Sequence, residues 1–116
     1  MKTTELMIGN WVLDTRTNNP LQVNPFMAEL EVPEWKEIEL TRDILIKNEF
    51  SKIYCSQCFT YHDWYGYCIM VNLDNLNLTI KHDYKILYNI TFNKFIPVHF
   101  LQNAIKMTGV NKKIVL

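Results

Sequence analysis

Residues 97–109 constrain the fold most, because they predict one amphipathic helix together with both of its end signals. Pro97 suits a first helical turn, where its missing N–H is not needed, and Gly109 suits the left-handed residue that ends a helix. At about 100° per residue, the apolar side chains fall on one broad half of this helix. We therefore expect a helix that covers a hydrophobic core and shows a narrow polar stripe to solvent.

The polar stripe of this helix consists of His99, Gln102, Asn103 and Lys106. A solvated face is the simpler interpretation of such a stripe. The alternative is a recognition face built from hydrogen-bonding side chains. His99, Gln102 and Asn103 are therefore candidate binding residues.

The rest of the chain predicts mainly short strands. In the N-terminal third they cover residues 8–14, 21–23 and 26–32, with turn-forming residues between the first two. Thr41 is the expected N-cap of a short helix that ends near Asn48, a common left-handed residue. After this helix, β-forming composition predicts strands over residues 51–59, 67–73, 76–81 and 86–92.

These elements predict a single α+β domain spanning residues 1–116. Its expected architecture is an antiparallel β meander of about four strands with a small curled N-terminal β unit. One short middle helix and a C-terminal amphipathic helix packed on the sheet complete the fold. A chain of 116 residues is long enough to bury a core without disulfides or metal.

Charge and composition exclude several functions. Twelve basic residues balance twelve acidic ones, which argues against a general attraction to nucleic acid or to an anionic membrane. No apolar run approaches the ~20 residues that span a bilayer. The first residues do not resemble a signal peptide, and three cysteines at irregular spacing do not suggest a disulfide framework. We expect a cytoplasmic protein.

A zinc site is the first chemical alternative, because Cys55, Cys58, His62 and Cys68 follow the ligand order of a zinc knuckle. The histidine, however, comes one residue early, and a flat strand would place Cys55 and Cys58 on opposite faces. Cysteines buried as small apolar side chains are the simpler interpretation. We predict no metal and no other cofactor, and leave open whether these four residues ever bind one.

Catalysis has no recognisable motif in this chain. The three cysteines and three histidines form no known pairing of nucleophile and base. The three glycines lie far apart, so there is no glycine-rich loop for phosphate. We therefore predict a protein that is not an enzyme.

Aromatic residues crowd one predicted hairpin: Tyr54, Phe59, Tyr61, Trp64, Tyr65 and Tyr67. Trp64 and Tyr65 fall at its tip and are candidate binding residues, because exposed Trp and Tyr often anchor protein contacts. The alternative is that these rings pack across the strands. Base stacking normally comes with several basic residues, and Lys52 is nearly alone here. Nucleic-acid binding, the less favoured alternative, would need lysines gathered on one face: Lys47, Lys52, Lys81, Lys94 and Lys106.

Three segments resemble a family of short uncharacterised proteins from Bacteroidales bacteria and their phages: residues 6–12, residues 40–47 with Phe50, and residues 98–99, 101–103 and 108–109 of the last helix. The chain departs from the family pattern at Met7, where arginine is expected, and at Glu49, where glycine is expected. The last helix is also one residue shorter between Asn103 and Thr108. The resemblance implies a cytoplasmic protein of phage or mobile-element origin, and it implies no activity.

Together, these observations predict a small non-enzymatic accessory protein that acts through protein–protein contacts. A protein is its expected partner, a membrane is not, and self-association into a homo-oligomer is compatible with the sequence.

Overall fold

The computed structural model describes residue 7 and residues 9–23, 35–53 and 57–116. Within these residues the chain forms eight strands and two helices, and every strand pair is antiparallel. The predicted α+β class is confirmed. Three strands form a small sheet in the order β2-β1-β3, and five form a main sheet in the order β4-β5-β6-β7-β8.

The small sheet contains β1 (Trp11–Asp14), β2 (Asn19–Gln22) and β3 (Trp35–Lys36). It packs around its own buried cluster of Val12, Val23 and Trp35. This sheet is the N-terminal β unit that the sequence predicts. The strand predicted over residues 26–32 lies outside the described residues.

Helix α1 (Arg42–Lys47) begins at Thr41, whose hydroxyl accepts a hydrogen bond from the Ile44 N–H at 3.4 Å. The predicted N-cap is therefore confirmed. The predicted left-handed end at Asn48 is wrong, because Asn48 has φ −94° and the left-handed residue is Glu49, with φ 69°. Asn48 is instead buried, where its amide bonds neighbouring backbone.

The main sheet is a meander of five strands: β4 (Ser51–Lys52), β5 (Cys58–His62), β6 (Tyr67–Asn72), β7 (Asn77–His82) and β8 (Lys85–Thr91). The single strand predicted over residues 51–59 is wrong. The chain reverses there, since Ser51 pairs with Thr60 and Lys52 with Phe59. Uniformly β-forming composition carries no signal for where a strand turns back, which explains the error.

Helix α2 (Val98–Thr108) contacts the main sheet through β7 and β8 and the small sheet through β1. Its predicted ends are confirmed, because Pro97 is the N-cap and Gly109 is left-handed with φ 84°. The core lies between α2 and one face of the main sheet. Its most deeply buried members come from both elements: Phe59, Ile69, Val71, Leu78, Ile80, Val98, Leu101 and Ala104.

Candidate functional site

The polar stripe of α2 does not face solvent as predicted. His99 is 0% exposed and Gln102 is 8% exposed, while Asn103 is half-buried. Lys106 alone of the four is exposed. Residues 9–11 cover the helix on this side, so Gln102 and Asn103 face the backbone and side chains of this segment and not a free surface.

Gln102 and Asn103 use their amides to hold the N-terminal segment against α2. The Trp11 backbone N–H donates to Gln102 Oε1 at 2.8 Å, and Gln102 Nε2 donates to the Gly9 carbonyl oxygen at 3.0 Å. Next to them, Asn10 Nδ2 donates to Asn103 Oδ1 at 2.9 Å. Buried polar groups must find such partners, and here they fix β1 to the helix. We call Gln102, Asn103 and their partners Gly9, Asn10 and Trp11 the amide clamp.

His99 is fully buried, with its ring centroid 5.0 Å from that of Phe100. Phe100 in turn makes an edge contact with Phe92 at 5.1 Å, which links the helix to the end of β8. A side chain with no exposed surface cannot meet a partner without a change of structure. His99 therefore belongs to the packing of α2.

A second buried amide, not foreseen from the sequence, fixes the end of the chain. Asn48 Nδ2 donates to the Val115 carbonyl oxygen, and the Val115 N–H donates back to Asn48 Oδ1, both at 2.8 Å. Trp11 Nε1 also donates to the Ile114 carbonyl oxygen at 3.1 Å. The last residues thus join α1 to the small sheet. Only the generic preference of Asn for backbone hydrogen bonds hints at this role in the sequence.

The aromatic residues at the β5–β6 turn have the opposite surroundings. Trp64 is 100% exposed and Tyr65 is 74% exposed. The neighbouring β7–β8 turn adds Tyr84, which is 99% exposed and which sequence analysis missed. We call Trp64, Tyr65 and Tyr84 the aromatic turn patch. Tyr84 has a positive φ of 68° at a two-residue turn, a position that directs its ring away from the sheet.

The two turns form one ordered end of the main sheet. Tyr67 pairs with His82, the Asp83 N–H donates to the Gly66 carbonyl oxygen at 3.1 Å, and His82 Nε2 lies 3.0 Å from the Tyr65 carbonyl oxygen. Gly66 is needed here because its φ is +89° and an added Cβ would lie 2.3 Å from Asp83 Oδ1. The aromatic turn patch is therefore presented by hydrogen-bonded turns.

Asp63 orders the first of these turns. Its Oδ1 accepts hydrogen bonds from the backbone N–H groups of Tyr65 and Tyr67, both at 2.9 Å. This is the usual way in which an aspartate side chain stabilises a turn. A surface that is ordered before binding loses less conformational entropy when a partner docks.

A pocket of about 380 Å³ lies beside the patch, with Tyr67 and Tyr84 in its walls. Cys68 Sγ is 3.9 Å from His62 Nε2 inside it. Burial raises the pKa of the Cys68 thiol, Lys81 lowers it, and Cys58 raises it further. Since a reactive cysteine needs a depressed pKa, this pair does not have the electrostatics of a nucleophile and its base.

The four residues of the zinc alternative are not all described, because Cys55 lies outside the described residues. Cys58 and His62 occupy opposite ends of β5, while Cys68 pairs with His62. Within the described part of the chain, no three His, Cys, Asp or Glu side chains converge as a metal site would require. Burial also raises the pKa of the Cys58 thiol, which favours the protonated form.

Two of the lysines named for nucleic-acid binding, Lys81 and Lys106, lie on different sides of the main sheet. Leu78 and Ile80 face the core covered by α2, so Lys81, one position along β7, faces the other side of the sheet. Lys106 is an exposed residue in the last turn of α2, the helix that packs on the core face of the sheet, and Lys47 hydrogen-bonds the Leu116 carbonyl oxygen. Lys106, Lys112 and Lys113 instead line one pocket beside Gly9, on a different part of the molecule from Lys81.

Among the described residues, neither helix has the length and apolar character needed to cross a bilayer. Comparison with protein-family models, with curated proteins and with solved structures finds no match for this chain.

Proposed function

We propose that this protein is a non-enzymatic accessory factor that acts by protein–protein contact, with the aromatic turn patch as its docking surface. The observation that carries the proposal is the exposure of three large aromatic rings on adjacent turns, with Trp64 making full contact with solvent. Tryptophan and tyrosine are the residues most enriched among binding hot spots. Leaving them in water has no benefit for folding, because their apolar area is not buried.

A protein partner fits this surface better than a nucleic acid. Base-stacking sites combine aromatic rings with lysines or arginines that follow the phosphates. Here the turns also contain the carboxylates of Asp63 and Asp83, while Lys81 lies beside them in the pocket. Mixed charge around aromatic rings is typical of a protein contact with a polar rim.

The backbone conformation of Glu49 is compatible with a relation to the Bacteroidales and phage family. Glycine is the residue expected at this position in the family, and the chain has a left-handed backbone there, with φ 69°. Glycine adopts this conformation without strain, whereas glutamate does not. A local geometry that favours the family's glycine agrees with a shared fold.

The proposal is tested by affinity capture from a Bacteroidales host, with and without phage infection, followed by binding measurements on the captured protein. Wild type and Trp64→Ala are compared with Met107→Ala, which truncates an exposed apolar side chain elsewhere. We expect Trp64→Ala to weaken binding by about 2 kcal/mol, or about 30-fold, as for a hot-spot residue. Met107→Ala should bind like wild type.

Two results would overturn the proposal. One is a partner bound equally well by Trp64→Ala and by a variant that also carries Tyr84→Ala. The other is tight, salt-dependent binding of oligonucleotides that disappears when Lys81 and Lys85 are replaced, since that would identify a nucleic-acid surface.

A further inference from the structure

The face of the main sheet that points away from α2 brings together a cysteine, a histidine and a methionine. Phe59 of β5 and Ile69 of β6 are buried in the core under α2, so the alternate positions of both strands face the other side. There His62 lies directly opposite Cys68, and Met70 is the next residue of β6 on the same face. All three residues line the same pocket of about 380 Å³.

The sulfur of Cys68 and the ring of His62 are separated by a distance that one metal ion can bridge. Cys68 Sγ and His62 Nε2 lie 3.9 Å apart. A first-row metal ion such as zinc binds a thiolate sulfur at about 2.3 Å and an imidazole nitrogen at about 2.0 Å. These bond lengths place one ion between the two atoms with a sulfur–metal–nitrogen angle of about 130°. The strands β5 and β6 therefore already hold two ligands at a bridging distance.

Met70 can supply a third ligand from the adjacent position. Diagonal neighbours across two strands, such as Met70 and His62, lie about 7–8 Å apart, which is within reach of long side chains. Methionine is unbranched and has three rotatable bonds, so its sulfur can turn toward an ion held by Cys68 and His62. Cys68 and Met70 are half-buried and His62 is exposed, which gives an ion a path from solvent.

The ligand types and the nearby charge favour copper in its cuprous state, Cu(I). Thiolate and thioether sulfurs are soft ligands that select Cu(I), whereas magnesium, calcium and manganese prefer oxygen. Asp63 and Asp83 also line the pocket. Yet among the described residues no carboxylate forms a group of three with Cys68 and His62, so a hard ion lacks its ligands here. Lys81 pairs with Cys68 across the strands and would repel the positive charge that a divalent ion keeps after binding one thiolate.

We propose that Cys68, His62 and Met70 form a three-ligand binding site for Cu(I). On binding, the Cys68 thiol releases its proton to solvent and its sulfur bonds the ion, while His62 binds as a neutral imidazole through Nε2. The copper enters already reduced, so no electron is transferred. Burial raises the pKa of the free Cys68 thiol, but a bound metal ion deprotonates a coordinating thiol outright. The site does not depend on the docking function proposed for the aromatic turn patch.

Transfer of Cu(I) from the coloured chelator bicinchoninate to the full chain, in the absence of oxygen, tests the site. We expect wild type to take up about one equivalent of Cu(I). Cys68→Ser and Met70→Leu should each weaken binding about tenfold or more, since even the outer partners of metal ligands contribute that much. Met107→Leu, the same change at an exposed methionine of α2, and Cys58→Ala should bind Cu(I) like wild type.

X-ray absorption of the copper-loaded wild type identifies the ligands without any substitution. We expect two sulfur neighbours and one nitrogen neighbour at the copper. Met70→Leu conserves volume and apolar character, so it should fold and lose one of the two sulfur neighbours. Wild type that removes no Cu(I) from the chelator would overturn the proposal. So would tighter binding of Zn²⁺ than of Cu(I), or binding that Cys55→Ser abolishes and Cys68→Ser does not.

Discussion

The polar stripe of α2 and the aromatic turn patch are both candidate binding surfaces in the sequence, and the structure gives them opposite surroundings. His99 and Gln102 of the stripe are polar yet buried, and Gln102 bonds the backbone of Gly9 and Trp11. The patch is aromatic yet exposed, because the two turns extend beyond the core. Polarity alone therefore does not show which residues lie on the surface. What matters is whether nearby backbone groups need a partner.

The largest expected effect comes from removing the central amide of the clamp. Gln102→Met keeps the length of the side chain but leaves the Trp11 N–H and the Gly9 carbonyl without this partner. We expect the free energy of unfolding to fall by about 2–3 kcal/mol, mainly because the Trp11 N–H loses its acceptor, while the Gly9 carbonyl oxygen still accepts from Gln22 Nε2 at 2.9 Å. Urea unfolding at neutral pH measures it. The reverse exchange at an exposed site of the same helix, Met107→Gln, should change the free energy of unfolding little. If both variants lose the same stability, the hydrogen bonds of Gln102 do not account for its effect.

A somewhat smaller loss is expected at the other buried amide. Asn48→Ala removes both hydrogen bonds to Val115 and should lower the free energy of unfolding by about 2 kcal/mol. Amide exchange of residues 110–116 should accelerate more than that of the main sheet, because the change releases the chain end first. Asn111→Ala, at an exposed asparagine, is the matched control. If the Val115 amide exchanges at the same rate in Asn48→Ala as in wild type, Asn48 does not hold the end of the chain in place.

A substitution at Glu49 is expected to stabilise the protein, in contrast to those at Gln102 and Asn48. Replacing it by glycine relieves a left-handed backbone at φ 69° and should raise the free energy of unfolding by about 0.5–1 kcal/mol. The contact between Glu49 and Lys112, at 3.8 Å with Glu49 on the surface, offsets little of this gain. Thermal unfolding of Glu49→Gly and Glu49→Ala separates the two effects. A gain in both variants would point to the lost charge and not to the backbone.

The same comparison separates what the sequence can predict from what it cannot. The ends of α2 follow from Pro97 and Gly109, because each residue has a conformational preference of its own. The burial of Gln102 does not, because its partners are backbone groups about 90 residues away that carry no side-chain signal. Trp64 and Tyr65 were predictable as the tip of a hairpin. The turn position of Tyr84 was not predicted, because the two turn residues, Asp83 and Tyr84, do not include the glycine that usually marks such a turn.

Alkaline pH should destabilise the fold through groups that burial keeps neutral. Burial raises the pKa of the Cys58 thiol above its ordinary value of 9.0 and that of the Tyr88 hydroxyl above 10.0. The stability that each neutral group contributes is therefore complete below its ordinary pKa and is lost as pH rises through the higher folded value. Unfolding measured from pH 8 to 11 should show this loss, and Tyr88→Phe should flatten its upper part. If Tyr88→Phe loses stability with pH just as wild type does, the Tyr88 hydroxyl does not contribute to the loss.

The smallest expected change in stability belongs to the aromatic turn patch. Trp64→Ala removes a side chain that is wholly in solvent, so the free energy of unfolding should stay within about 0.5 kcal/mol of wild type. Urea unfolding followed by circular dichroism measures it independently of tryptophan fluorescence. A loss above about 2 kcal/mol would mean that the ring packs against the protein and is not a free contact surface.

The decisive measurement compares how tightly Gln102→Met and Trp64→Ala bind the captured partner, at a temperature where both variants are folded. The amide clamp is structural and the aromatic turn patch makes contact, so Gln102→Met should bind like wild type while Trp64→Ala binds about 30-fold more weakly. Loss of binding in Gln102→Met together with full binding by Trp64→Ala would reverse the two roles and contradict the account.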